Sequence, residues 1–373
     1  MDATLVATTR NVMITIDGSF GEGGGQVLRT SLALSAITGH PLHIYNIRAT
    51  RPKPGLQAQH LTSVRAAAAI CGAKLQGAAL GSASLVFEPT HPPQAGEYVF
   101  DVTEARHGGS AGATTLILQT ILLPLALADG ESFVTIHGGT HAPFSPPFPY
   151  IKHIYLPILW QTGLHAQVDL QRYGWYPAGG GELQIKVQAR CGALAPITLI
   201  ERGELRRLWG IAAVSNLPSH IAQRMANRAI NVLKDLDVQS RIEATHVEAT
   251  GPGAGIFLLA EYERSLGGFT AYGRKGLPSE QVAGMACSDL LAHDRSGMAT
   301  DMRLADQLIL PAAFAEGQSR WTTCRVTLHL LTNAWVVRQF LDVPIAVTGN
   351  VGEPGEVVVG GQRSDLLIPD HCL

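Results

Sequence analysis

The chain lacks the signatures of several common protein classes. It contains no G-x-x-x-x-G-K-[ST] motif, and its glycine cluster at residues 21–26 does not fit G-x-G-x-x-G, which excludes the usual nucleotide-binding loops. The five cysteines are scattered without a C-x-x-C pair, which argues against a disulfide framework and against a zinc site. The longest apolar run, residues 116–128, is interrupted by polar residues and proline and is too short to span a bilayer.

The N-terminus has neither the basic segment nor the apolar segment of a secretory signal. We therefore expect a cytoplasmic protein that does not associate with a membrane. A net charge of −2 gives no general attraction to nucleic acid, because binders of that kind depend on a strong positive excess. Any site for a polyanion must be local.

Acidic residues are absent from residues 23–87, and this gap is where a local site is expected. The gap either forms a solvated basic face or surrounds a phosphate-rich ligand, and the glycine cluster at its start favours the ligand. Its basic and histidine side chains are Arg29, Arg48, Arg51, Lys53, Arg65, Lys74, His40, His43 and His60.

A repeat in the sequence indicates the fold. The segment LPLALADG at residues 123–130 is echoed by LPAAFAEG at 310–317, and each precedes a β-rich stretch. A weaker copy covers residues 32–45. Further helical segments, at residues 61–71 and 150–162, follow the strands. This rhythm predicts an α/β architecture built from about three repeated modules.

The rhythm breaks between residues 187 and 275, where one amphipathic helix and several strands predict a small inserted α/β domain. We therefore expect a large catalytic repeat domain from residues 11–186 and 276–350. A flexible leader at 1–10 and a C-terminal tail at 351–373, with a last strand near 356–359, complete this division.

The glycine cluster GEGGGQ at residues 21–26 lies between an apolar strand and a helix. Such a turn exposes backbone N–H groups at the positive end of the helix dipole, which suits an anion. Glu22 in that place could hold a divalent metal that bridges to a phosphate. A glycine-rich turn with a solvent-exposed glutamate remains the alternative.

Two other features have a structural and a functional interpretation. The small-residue loop GGSAG at residues 108–112 precedes a helix with Gln119, and it either forms a second wall of the same cleft or packs closely. His329 is flanked by leucines, which is typical of a buried core histidine. It could also act as a nucleophile or general acid–base.

The motifs, taken together and in order, resemble those of the RNA 3'-terminal phosphate cyclases. The matches are spread over about residues 15–340. They comprise GEGGGQVLR at 21–29, IRATRPKPGL at 47–56, QHL at 59–61, GSAG at 109–112 with Gln119, YPAGGG at 176–181, LADQL at 304–308 and HLLTN at 329–333.

The resemblance implies three α/β modules, each βαβαββ-like and of the enolpyruvyl-transferase type, with a small inserted domain. It also implies a reaction with ATP, with Mg²⁺ or Mn²⁺, and with RNA that ends in a 3'-phosphate. A histidine attacks the α-phosphorus of ATP, and AMP passes to the 3'-phosphate. The neighbouring 2'-hydroxyl then displaces AMP and closes a 2',3'-cyclic phosphate.

The resemblance also assigns residues to roles. His329 matches the nucleophile, and Glu22 matches a residue associated with the metal and the ATP phosphates. The positions that match ATP contacts are Gln119, Arg303, Leu304, Ala305, Asp306 and Gln307. The positions that match phosphate or RNA handling are Arg29, Arg48, Arg51 and His60.

Two positions depart from the family pattern. Arg303 stands where relatives often have an aromatic residue that stacks on adenine, and a guanidinium plane can also stack on a purine. His141 and Ala142 stand where relatives have Asp and Asn, and we assign no role to them.

Two other functions are alternatives. A non-catalytic relative that acts in ribosome assembly would share the fold but lack the histidine, so the presence of His329 argues against it. An enolpyruvyl-type transferase would leave the ATP-type site and His329 unexplained. A homodimer is left open as the oligomeric state.

Overall fold

The computed structural model describes residues 12–105, 112–190 and 192–361, and within them sixteen strands form four sheets of four strands each. The strands are Ile14–Asp17 (β1), Leu42–Tyr45 (β2), Lys74–Gln76 (β3), Leu85–Glu88 (β4), Glu97–Asp101 (β5), Ser132–Gly138 (β6), Ala166–Arg172 (β7), Gly181–Val187 (β8), Thr198–Leu199 (β9), Leu205–Ser215 (β10), Gln239–His246 (β11), Gly253–Tyr262 (β12), Leu266–Tyr272 (β13), Ser319–Thr323 (β14), Ile345–Thr348 (β15) and Gly355–Val359 (β16).

Ten α-helices accompany these strands in the same described ranges. They are Gly25–Thr38 (α1), Ala58–Cys71 (α2), Thr114–Ala126 (α3), Phe148–Tyr150 (α4), Leu156–Trp160 (α5), His220–Leu233 (α6), Ser279–Ser296 (α7), Leu304–Gln307 (α8), Ile309–Ala313 (α9) and Leu328–Phe340 (α10). A π-helical segment, Ile151–Tyr155, joins α4 to α5.

Three of the four sheets share one topology. Their strand orders are β1-β2-β4-β3, β5-β6-β8-β7 and β9-β14-β16-β15. In each sheet the first two strands in chain order are parallel, and the other two pairings are antiparallel. Helices follow the first and second strands of each unit, which gives β-α-β-α-β-β three times. The predicted α/β fold of three repeated modules is confirmed.

The fourth sheet, β11-β10-β12-β13, interrupts the third module between β9 and α8. It has a core of its own, in which side chains of α6 and α7 pack on strands β10, β12 and β13. An insertion is therefore present, as predicted.

The boundaries predicted for the insertion, 187 and 275, need correction at both ends. Strand β9 pairs with β14 of the third module, so it belongs to the large body. Helix α7 buries Val282, Ala286 and Leu290 in the core of the insertion, although it lies beyond residue 275. We therefore place the inserted unit at about residues 205–296, the span from β10 to α7. Amphipathic periodicity identifies a buried helix face but not the sheet that covers it.

The predicted tail also needs correction. Strand β16, within the predicted tail at 351–373, pairs on one side with β14 and on the other with β15, so it is an inner strand of the third sheet. Residues 362–373 and the predicted leader at 1–10 lie outside the described residues.

Helix packing brings distant parts of the chain together. Helix α1 packs on α2, α3 and α10, so the region after β1 lies against the last long helix of the body. The buried faces of these helices share one large hydrophobic core. Among the described helices, none combines the length and apolarity that a membrane span requires.

Candidate active site

The glycine cluster forms a tight turn between β1 and α1. Gly21 has φ +60°, in the left-handed region, and a Cβ at this position would collide with the side chain of Thr332 on α10. A Cβ at Gly25, the first residue of α1, would collide with the ring of His60. Side chains at these two positions are therefore excluded by close packing against groups of the site.

His329 lies in the first turn of α10, beside this cluster. The N-cap of α10 is Thr327, whose hydroxyl accepts a hydrogen bond of 3.1 Å from the N–H of Leu330. Nδ1 of His329 is 2.6 Å from Oε1 of Gln26 and 3.1 Å from Oε2 of Glu22. The side chain remains 51% exposed, so the other ring nitrogen is accessible. The structure does not place His329 in the core.

The hydrogen bonds around Gln26 determine the protonation of His329. Nε2 of Gln26 donates to Oδ2 of Asp306 at 2.6 Å, which turns Oε1 of Gln26 toward the histidine. Because Oε1 can only accept, Nδ1 of His329 carries the hydrogen and Nε2 has the free lone pair. Burial and the charges of Arg29 and Arg51 lower the pKa of His329 to about 4. The imidazole is therefore neutral near pH 7 and can act as a nucleophile.

Glu22 is held from three sides. Its N–H donates to Oγ1 of Thr332 at 3.1 Å, and its carbonyl oxygen accepts from Arg51 at 3.1 Å. The guanidinium of Arg51 also forms an ion pair with Oε1 of the Glu22 carboxylate. Among the described residues, Oε2 of Glu22 is buried and has no hydrogen-bond partner, although Nδ1 of His329 is close to it.

A metal ion at Glu22 would need ligands from outside the protein. Within the described ranges, no group of three or more His, Cys, Asp and Glu side chains could hold a metal ion. Glu22 offers one carboxylate oxygen without a hydrogen bond, which fits Mg²⁺ because this ion usually takes one or two carboxylates plus phosphate oxygens and water.

Positive charge and a neutral N–H donor lie under the glycine turn. Burial lowers the pKa of Arg29 to about 10, with Asp306 opposing the change, so Arg29 is still charged near pH 7. Nδ1 of His60 accepts from the N–H of Gln57 at 3.1 Å, so Nε2 of His60 carries the hydrogen next to Gly25. Burial and the charges of Arg29 and Arg48 lower the pKa of His60 to about 3.

Arg48 is fixed by its own loop. Its guanidinium donates to the carbonyl oxygens of Lys53 at 2.5 Å and Gly55 at 3.1 Å, and its backbone has φ +55°. The positive charge of Arg48 contributes to the lowered pKa of His60. Some of its N–H groups, however, already donate to carbonyl oxygens of its own loop. The structure therefore brings Arg29, Arg51 and His60 to the turn and gives Arg48 a part in shaping the loop beside them.

A cleft of about 630 Å³ opens beside His329. Of the residues predicted to contact ATP, Gln119, Arg303, Asp306 and Gln307 line it. Leu304 and Ala305 are fully buried in the core, because this turn of α8 directs them inward, so their side chains take no part in lining the cleft. Gln119 donates to Oε1 of Gln307 at 2.5 Å, which joins α3 to the 303–307 segment.

A comparison with known proteins identifies the chain. The family model for RNA 3'-terminal phosphate cyclase matches residues 20–347. The chain belongs to this family. The resemblance inferred from the motifs is thereby confirmed.

Several curated members of the cyclase family are close relatives. The RNA 3'-terminal phosphate cyclase of Trichormus variabilis is 56% identical over 328 residues, 88% of this chain and 94% of the relative. That of Methylococcus capsulatus is 50% identical over 341 residues, 90% and 94% of the two chains. That of Methanopyrus kandleri is 40% identical over 354 residues, 93% and 98% of the two chains.

A solved structure outside the cyclases is a distant neighbour. The enolpyruvyl transferase NikO from Streptomyces tendae is 16% identical, over 58% of this chain and 37% of that chain, with a TM-score of 0.27. A likeness this weak says nothing about the chemistry of this cyclase-family chain.

Asp301 supports the cleft, and sequence reasoning missed it. Its Oδ1 accepts from the N–H groups of Arg303 at 2.8 Å and Leu304 at 3.0 Å, which caps α8. The carboxylate also accepts from the hydroxyl of Tyr150, at 2.8 and 2.9 Å, and from the N–H of Gly268, at 3.2 Å. An aspartate just before a short helix is a typical N-cap signal, so the pattern was available in the sequence.

The inserted unit supplies the second wall of the cleft, which the motifs of the cyclase family did not indicate. The contributing side chains are Thr270, Tyr272, Arg274 and Met285, and the loop at 143–146 borders them.

The loop predicted as a second wall, residues 108–112, lies outside the described residues except for Gly112, whose carbonyl oxygen accepts from Gly139 at 2.9 Å. His141 is buried and bonded to Thr140 at 2.8 Å.

Proposed function

We propose that this protein uses ATP to convert the 3'-terminal phosphate of an RNA into a 2',3'-cyclic phosphodiester. The observation that carries the proposal is the neutral His329, whose Nδ1 is held by Gln26 and whose Nε2 lone pair is free beside a nucleotide-sized cleft. The names of the relatives support the choice of substrate, since they are RNA 3'-terminal phosphate cyclases.

In the first step, Nε2 of His329 attacks the α-phosphorus of ATP. A bond forms between Nε2 and phosphorus, the bond to the bridging oxygen breaks, and pyrophosphate leaves with that electron pair. The imidazole ring becomes positively charged, and its Nδ1–H remains bonded to Gln26 at 2.6 Å with the Glu22 carboxylate 3.1 Å away. These two acceptors stabilise the charge that develops on the ring.

In the later steps, an oxygen of the RNA 3'-phosphate attacks the phosphorus of the adenylate and releases neutral His329. The 2'-hydroxyl then attacks the activated 3'-phosphorus, AMP leaves, and the hydroxyl proton is lost to solvent. Arg29, Arg51 and the Nε2–H of His60 lie at the turn where they can bind phosphate oxygens in both steps. Guanidinium groups suit this role because they match phosphate geometry.

A divalent cation would be held by Glu22 and by phosphate oxygens of ATP. When bound, it would neutralise charge on the phosphates. If the ion pair between Glu22 and Arg51 opens, Glu22 becomes free for the cation and Arg51 for phosphate oxygens, while Thr332 keeps the backbone of Glu22 in place. The preference between Mg²⁺ and Mn²⁺ is open.

The reaction is tested with a 3'-phosphorylated oligoribonucleotide and ATP. We expect two products in equal amounts. One is AMP, and the other is an oligonucleotide whose terminal phosphate resists phosphatase. The same oligonucleotide with a 2'-deoxy terminal sugar should give no cyclic product, because the attacking hydroxyl is absent. Cyclisation of the 2'-deoxy terminus at the ribose rate would contradict the mechanism, and complete inactivity with ATP would favour a non-catalytic relative.

A further inference from the structure

Phe20 and Trp335 form an aromatic pair at the surface beside the glycine turn. Their ring centroids are 3.9 Å apart with planes 19° from parallel, and Phe20 is 42% exposed. Phe20 belongs to the turn itself, since its carbonyl oxygen accepts from the N–H of Gly23 at 2.9 Å. The ring of Phe20 is flat and apolar, and Trp335 stacks against one of its faces.

The pair and the reacting histidine are carried by the same helix. His329, Thr332 and Trp335 stand at every third residue of α10. His329 contacts Glu22 and Gln26, Thr332 accepts from the N–H of Glu22, and Trp335 stacks on Phe20. Six residues of helix place the aromatic pair about 9 Å along the axis from His329. Neither Phe20 nor Trp335 belongs to the described residues that line the nucleotide cleft.

The surroundings of the pair suit a phosphate-bearing chain. The loop with Thr50 and Arg51 packs on Gly23 and Glu22 of the turn, and Lys53 in the same loop is exposed. The two nearest carboxylates along the chain are already bonded, Asp17 by the N–H and hydroxyl of Ser19 and Glu22 by Arg51. A flat apolar ring next to cations is the combination that binds single-stranded nucleic acid.

We propose that the open face of Phe20 stacks on the base of the 3'-terminal nucleotide of the RNA, while its phosphate lies at Arg51 and His329. This inference rests on the proposed function and names a part of the same site. Stacking accepts every base, because each has a π face, so it predicts binding with little sequence preference. It also places the terminal base outside the nucleotide cleft, because Phe20 is not among the described residues that line it.

The test measures KM for a 3'-phosphorylated oligoribonucleotide with Phe20→Ala and Phe20→Leu, each with its normal terminal base and with an abasic terminal nucleotide. We expect both variants to raise KM at least about fivefold on the normal RNA, the lower end of the loss for one base–aromatic stack. On the abasic RNA, wild type and variants should have equal KM values. Phe133→Ala, which removes another exposed ring, on β6, should match wild type on both RNAs.

Other outcomes overturn the inference in ways that differ from a failure of the proposed function. If neither adenylation nor cyclisation occurs in wild type, the proposed function fails. If wild type cyclises RNA and Phe20→Ala has an unchanged KM, or an equal rise on normal and abasic RNA, only the stacking inference fails. Self-adenylation with ATP alone checks that each variant is folded. A change of oligomeric state in Phe20→Ala with an unchanged KM would assign this face to a second copy of the chain.

Discussion

Nδ1 of His329 lies 2.6 Å from the side-chain oxygen of Gln26, and these two residues are 303 positions apart in the chain. The contact exists because α1 packs directly on α10. Gln26 is uncharged, but its hydrogen bond to Asp306 fixes the orientation of its amide group. The amide oxygen then fixes the orientation of the imidazole. A neutral amide thus favours the tautomer in which Nε2 of His329 has the free lone pair that the proposed attack on ATP requires.

Substitution of Gln26 tests this orienting role. In Gln26→Leu, Nδ1 of His329 loses the closer of its two acceptors and keeps only Oε2 of Glu22 at 3.1 Å. The neutral ring can then also carry its hydrogen on Nε2, so we expect the rate of adenylation to fall by about 100-fold or more. The rate of adduct formation with labelled ATP measures the effect. Gln184→Leu, at an exposed position on β8, is the matched control and should behave as wild type. A Gln26→Leu rate within about twofold of wild type would show that the tautomer is set otherwise.

As the pH falls, the rate of adenylation should respond to protonation of Asp306 first and to protonation of His329 only at lower pH. Burial raises the pKa of Asp306 to about 7, whereas the pKa of His329 is lowered to about 4. A raised pKa means that the carboxyl gains its proton as the pH falls through 7. The protonated group can then donate to Gln26, and the amide can turn its N–H groups toward His329 and reverse the tautomer.

We therefore expect adenylation to be constant above about pH 8 and to fall about tenfold per pH unit below 7. Asp306→Asn cannot titrate, so its rate should be lower than that of wild type but flat between pH 5 and 8. Measurement of single-turnover adenylation over this range distinguishes the two groups. A wild-type profile with its midpoint near 4 would indicate that only protonation of His329 matters.

Much of the fold could be predicted because it depends on local pattern. The repeated segments indicated the three modules, and the break in their rhythm, with its amphipathic helix, indicated the insertion. Ends of elements were less accurate. The repeated segments run to Gly130 and Gly317, but the helices within them end earlier, α3 at Ala126 and α9 at Ala313. Gly39 and Gly72 do cap α1 and α2, with φ +74° and +58°.

The site could be predicted only in part, for a physical reason. The motifs predicted His329, Glu22 and Arg51 as site residues, and these three lie together in the structure. The sequence has no periodicity that pairs Gln26 with His329 or Asp301 with Gly268. Such contacts depend on how the modules and the insertion pack, which is a long-range property. Spacing alone also made a core position for His329 the default, because its neighbours in the chain are leucines.

Arg303 provides a test of the adenine contact. Arg303 lines the cleft and stands where the family often has an aromatic residue. If its guanidinium stacks on adenine, Arg303→Ala should raise KM for ATP by about two- to thirtyfold, the range expected for loss of a cation–π contact. Arg303→Tyr should restore most of the affinity. Arg295→Ala, on the last turn of α7, should leave KM unchanged. An Arg303→Ala enzyme with wild-type KM for ATP would exclude the stack.

Asp301 should prove important both for stability and for ATP binding. Asp301→Ala removes the cap of α8 and leaves the buried hydroxyl of Tyr150 without its acceptor. We expect a loss of roughly 3 kcal/mol in the free energy of unfolding, measured in urea, and a raised KM for ATP because Arg303 to Gln307 lose their support.

Tyr150→Phe and Asp289→Ala complete this experiment. Tyr150→Phe keeps the cap and loses one hydrogen bond, so it should cost about 1 kcal/mol and leave KM for ATP near wild type. Asp289→Ala, at an exposed position of α7, should change neither quantity. If Asp301→Ala lowers stability and keeps the wild-type KM, Asp301 is a structural residue without a role in positioning the nucleotide segment.

The central claim is that His329 carries AMP, and one measurement tests it directly. The purified protein is incubated with ATP labelled at the α-phosphate and a divalent cation, without RNA, and any adduct is examined by acid and alkali treatment and by mass spectrometry of the peptide that contains residue 329. A phosphoramidate on histidine is labile in acid and stable in alkali. We predict one such adduct per chain on His329 and none in His329→Ala. Absence of the adduct in wild type, or its persistence in His329→Ala, would contradict the account.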